Sequence, residues 1–141
     1  MSSPPRPAER AAHAERAAQV VWRIGFWLPL ALCTWLALTP SPPDAVFRVS
    51  DVVLHALAFS YLTFALGLAH GGLRYLLVAV LMLLYGVFIE VAQSFEPARS
   101  PEVKDLLVDV AGIALGLVAL LVLGDWSRRI LRRVLAALGL G

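Results

Sequence analysis

The sequence predicts an all-α integral membrane protein: a four-helix bundle with a basic amphipathic helix at its C-terminal end. Three observations predict it. Of the 141 residues, 60% are hydrophobic and only 16% are charged, and the mean hydropathy is +0.78; a soluble domain of this size is less apolar. The apolar residues gather into four runs near 21–39, 51–70, 73–93 and 105–124, each about the 20 residues that cross a bilayer. The charges, finally, are segregated at the ends of those runs.

Residues 1–19 form a polar tail, Pro-rich at first and then rich in Ala, Glu and Arg. They read as an irregular segment passing into a short surface helix. The four-span membrane domain then covers 20–125. Its first span carries Arg23 one turn inside its start, where a long side chain can reach back to the interface. Pro29 is tolerable there as a kink, and Trp22, Trp27 and Trp35 suit interfacial or packing positions. The run is too long for a signal-peptide core and lacks a small-x-small cleavage site, so it reads as a retained span. The stretch 40–50 holds three prolines after the first span and cannot continue a helix. His70-Gly71-Gly72 is a tight turn between the second and third spans, and 94–104 is a polar, Pro-containing loop before the fourth. From 126 to 141, four arginines alternate with Ile130, Leu131, Val134, Leu135 and Leu138, the pattern of a basic surface helix on an anionic membrane.

Four spans put both termini on one side. Nine of the twelve cations fall on that side, against the acids Glu9, Glu15 and Asp125; the opposite side holds three cations and seven acids. Cations concentrate on the cytoplasmic side of short loops, so both termini are expected in the cytoplasm of a bacterial inner membrane. The arginines flank apolar spans and belong to no recognition module, which argues against nucleic acid as a partner. The single cysteine, Cys33, forms no intrachain disulfide and no zinc motif. No cofactor is expected, and membrane lipid is the expected partner.

The chemistry is concentrated on the side away from the termini. Asp51 and His55 open the second span at i, i+4, and Glu90 and Gln93 close the third at i, i+3. Asp105 and Asp109 open the fourth at i, i+4, followed on nearly the same face by Gly112 and Gly116, a helix-packing pair. Arg99 lies in the loop between Gln93 and Asp105. A charge in hydrocarbon costs about 2.5–3.5 kcal/mol on insertion scales, so such residues are usually paired and functional. Glu90 stands at a helix C-terminus, where an anion is disfavoured, and Arg99 is its nearest cation. Asp51, His55, Glu90, Gln93, Arg99, Asp105 and Asp109 are therefore the candidate ligand-binding set.

Read together, these motifs resemble the VanZ-like family of bacterial membrane proteins, named for an accessory factor in teicoplanin resistance. The similarity spans residues 23–124 and rests on a Pro-bearing first span, Asp51 with His55, Tyr85-Gly86 through Glu90, Gln93, Pro97 and Arg99, then Asp105, Asp109, Gly112 and Gly116. Val52 stands where the family pattern has lysine, Ala56 and Phe59 where it has aromatic and tyrosine, and Asp109 where asparagine is commoner. These departures make the site more negative. The resemblance implies an effect on susceptibility to teicoplanin, a lipid-bearing glycopeptide that acts outside the membrane.

Two functions compete on the residues alone. In one, a non-catalytic outward pocket binds a lipid-linked or amphiphilic ligand, with Arg99 engaging a phosphate or carboxylate through its planar fork. In the other, a membrane enzyme uses His55 and Glu90 as acid/base groups, His55 oriented by Asp51 or Glu90, with Arg99 stabilising charge. A metal variant of that enzyme would take His55, Glu90 and Asp109 as hard ligands. A small transporter with Glu90 as its titrating group is a third reading, weakened by the lack of polar groups on the terminal side of the spans. A purely structural network of Glu90, Arg99 and the aspartates is the fourth.

Overall fold

A computed structural model describes residues 7–39, 51–95 and 103–139. The described residues form four helices: α1 (Pro7–Leu38), α2 (Asp51–Ala69), α3 (Tyr75–Gln93) and α4 (Val103–Ala137). All four are long and apolar enough to cross a membrane. Large apolar side chains such as Leu28, Leu76, Leu84, Leu121 and Val122 stand exposed around the bundle, as expected where lipid is the solvent for the outer surface.

Two helices are longer than the sequence led us to expect. The N-terminal segment was read as a tail with a short surface helix, yet α1 runs 32 residues without interruption. Proline suits the first helical position, and the Ala-rich stretch from Ala8 to Gln19 contains no breaker. Likewise, the basic surface helix expected over 126–141 is, as far as Ala137, continuous with α4, 35 residues in all. The stop comes only at Gly139, whose φ of +70° is the left-handed conformation that ends helices. At 1.5 Å per residue these helices are about 48 and 52 Å long, well over the ~30 Å of hydrocarbon. Their excess lengths pair on the side of the termini. Ala14, Ala18 and Leu135 are buried there, and Arg132 Nη1 donates to Glu15 Oε2 at 2.7 Å.

The short helices turn where expected. His70 N donates to Leu66 O and Leu73 N to His70 O at 2.9 Å, closing the tight turn between α2 and α3. Arg128, read from the sequence as one of the membrane-surface cations, instead reaches into the bundle. Its Nη2 donates to Gly67 O at 2.9 Å, and its Nη1 meets Asp125. Gly67 is among the last four residues of α2, whose carbonyls have no partner inside their own helix, so Arg128 caps that end.

Helix α2 is the most buried and α1 the least. Phe59, Leu62, Ala65, Leu66 and Ala69 of α2 meet Phe26, Val78, Met82 and Ile113 in one core. The closest packing is between α2 and α4, which run parallel. A methyl group added at Gly112 would lie 2.8 Å from Ala56 O, and one at Gly116 would lie 2.5 Å from Ser60 O. Only glycine leaves room for that approach at the two positions. Four residues along α4 are matched by four along α2, and this register places the polar groups.

Helix α1 is pinned at its proline. Pro29 has no N–H to give Gly25 O, and Tyr61 Oη supplies the missing donor at 2.7 Å. Lower on the same helix, Thr34 Oγ1 donates to Leu30 O at 2.7 Å. Its single hydrogen is thereby used, so in its 3.0 Å contact with Tyr85 the tyrosine is the donor.

Candidate functional site

Asp109 is the centre of the polar cluster. It lies three residues before Gly112, so the glycine-fixed register delivers it to the first turns of α2, beside His55. His55 Nδ1 and Asp109 Oδ1 are 2.9 Å apart; the aspartate side chain is 2% exposed and the imidazole 21%. With Asp109 ionised, its oxygen can only accept, so Nδ1 carries the hydrogen and Nε2 is the ring nitrogen left over. The sequence suggests Asp51 or Glu90 as the group orienting His55; among the described residues the bonded partner is Asp109. The i, i+4 spacing of Asp51 and His55 fixes only a shared face within one helix, whereas the rotation of α4 against α2 decides the contact across helices.

Aromatic side chains wall the pair. His55 stacks on Phe59, centroids 6.4 Å apart and planes within 16°. Phe59 in turn meets Tyr85 at 5.7 Å, the tyrosine bound to Thr34. Behind the carboxylate stands Gly86, where an added methyl would lie 2.9 Å from Asp109 Oδ2 and 3.3 Å from the Phe59 ring. Phe59, Tyr85, Gly86 and Thr34 were not among the candidates. Two signals were present: Phe59 follows His55 by four residues, on the same helix face, and Gly86 interrupts an otherwise bulky apolar run.

The other acids gather near. Asp105 lies one turn before Asp109, in the first turn of α4. Its Oδ1 is buried and meets no hydrogen-bonding partner among the described residues. Glu90 is half-buried in the last turn of α3. Of the seven candidates, His55 and Asp109 are in direct contact, and Asp105 and Glu90 lie at the same end of the bundle, in the first turn of α4 and the last turn of α3. Among the described residues, no three of His, Cys, Asp and Glu form a set able to hold a metal ion, and His55, Glu90 and Asp109 do not make the hard-ligand site considered from the sequence.

Gln93 is placed differently. Its side chain is 7% exposed, and its Nε2 donates to Ala37 O at 3.0 Å. Ala37 is in the last turn of α1, so the amide serves an orphan carbonyl and ties α3 to α1. Arg99 and Pro97 lie outside the described residues, as does the side chain of Asp51, whose backbone opens α2.

Residues 13–124 match the model of the VanZ/LLP1 family. No curated protein and no solved structure matches the chain.

Proposed function

Because this chain belongs to the VanZ/LLP1 family, we propose that its polar cluster is an outward-facing site engaging the polar part of a lipid-linked or other amphiphilic, cell-wall-related ligand. Through that engagement the protein lowers susceptibility to teicoplanin or similar amphiphiles. The observation that carries the reading is the buried His55–Asp109 pair at the edge of a membrane span. Burying such a pair is costly, and replacing it with apolar residues is often neutral or stabilising, so packing alone is a poor reason for its presence. The positive-inside count supports the orientation, with both termini in the cytoplasm and the cluster at the outer face of the inner membrane. Arg99, by its place in the sequence between Gln93 and Asp105, is the cation assigned to an anionic group of the ligand.

A second reading is favoured by one observation. Asp109 orients His55 through Nδ1 and leaves Nε2 over, as in a general acid/base, so an enzyme acting on a lipid-linked substrate fits the same geometry.

The test is a substitution set expressed at equal protein abundance: His55→Gln, Glu90→Gln, Arg99→Ala, Asp105→Asn and Asp109→Asn. Susceptibility to teicoplanin is compared with that to vancomycin. The expected result is loss of teicoplanin protection in His55→Gln and Arg99→Ala with vancomycin unchanged; full protection in both overturns the proposal. Mass spectrometry of lipids and wall precursors separates the readings, since only an enzyme changes those profiles on deletion and overexpression.

A further inference from the structure

Among the described residues His55 is bonded at one nitrogen, and the group that bonds it has to be held in place against other arrangements. Asp109 could rotate toward the mouth, or His55 could turn its other nitrogen to a different carboxylate. What removes these alternatives is space. Asp109 Oδ2 lies where a side chain on α3 would otherwise stand: a methyl at Gly86 would be 2.9 Å from it. The same methyl would press the Phe59 ring at 3.3 Å, and that ring is the surface on which His55 stacks. Gly86 is thus in contact with both supports of the imidazole, the carboxylate that binds it and the ring beneath it.

We infer that Gly86 is a positioning residue of this site: its missing side chain seats Asp109 against α3, fixes His55 by Nδ1–H, and confines proton exchange by the imidazole to Nε2. This rests on reading His55 as the working group of the cluster. The nitrogen presented to a ligand is then always the same one. In the neutral ring Nε2 accepts a hydrogen bond from a hydroxyl or amine of the ligand; in the protonated ring it donates to a phosphate or carboxylate. Nδ1 donates to Asp109 in both states.

The experiment uses the full chain in lipid nanodiscs with nitrogen-15 histidine. The three histidines are assigned by His13→Ala and His70→Ala. In the parent, His55 should show a bonded Nδ1–H throughout a pH titration while only Nε2 changes state. Gly86→Ala should lose that signature and give a mixture of tautomers, with helix content retained. A Gly86→Ala spectrum identical to the parent overturns the inference. Should Gly86→Ala fail to accumulate, the cycle with Asp109→Ala decides, because removing the carboxylate removes the tighter of the two contacts. Adding Gly86→Ala to Asp109→Ala should then leave abundance and melting unchanged; a further large loss would make Gly86 a packing residue for Phe59 and overturn the inference. The susceptibility test of His55→Gln is independent: lost protection with an unchanged Gly86→Ala spectrum sinks only the role of Gly86. The converse result sinks only the proposed function.

Discussion

At the scale of single residues, the His55–Asp109 pair is where identity matters most. Asp109 is almost fully buried, so truncating its partner strands a carboxylate in a low-dielectric site. Breaking a buried pair from one side costs about 3–5 kcal/mol. His55→Ala should therefore lower thermal stability in detergent sharply. Asp109→Asn keeps an oxygen for Nδ1–H to donate to and removes the charge, so its loss should be several-fold smaller. Equal losses would show that the charge is not what makes the pair sensitive. The sequence marked both residues as exceptional, since each interrupts an apolar run. It did not pair them, because Asp51, Glu90 and Asp109 are equally plausible carboxylates for His55 until the helices are set against each other. The role of Gln93 was hidden for a similar reason: an orphan carbonyl at the end of α1 has no signature in the sequence around the glutamine.

At the scale of elements, the four spans were legible because hydrocarbon thickness fixes their length. The inner ends of α2 and α3 fall within a few residues of the apolar runs. The far ends of α1 and α4 were not legible, since a change from apolar to polar marks where a helix leaves lipid, not where it stops. The Gly112 and Gly116 spacing announced a close approach but not which helix makes it. The partner is α2, through Ala56 and Ser60, and that contact sets the register on which the site depends. Gly116→Leu should push α4 off α2 and lower stability by about 1–3 kcal/mol, the usual cost of overpacking, read as reduced melting temperature and abundance in detergent. Ala114→Leu, on the exposed face of the same helix, is the control and should be near neutral. A neutral Gly116→Leu would mean the helices pack by some other contact.

At the scale of the whole molecule, the bundle has two unlike ends. One holds His55, Glu90, Asp105 and Asp109; at the other the two long helices are joined by Glu15 and Arg132. Both of those side chains are over 40% exposed, which limits the bridge to the ~0.2–1 kcal/mol of surface pairs. Glu15→Arg and Arg132→Glu should each lower melting slightly, and the double exchange should restore most of the loss. Additive losses in the double variant would show that the bridge contributes nothing.

The unbroken course of α4 has a mechanical consequence. Asp105 and Arg132 ride on one rod, about 40 Å apart along its axis. The helix is unbroken between them, so the basic and acidic ends belong to one element. Any body that grips the arginines therefore grips the helix that carries Asp109.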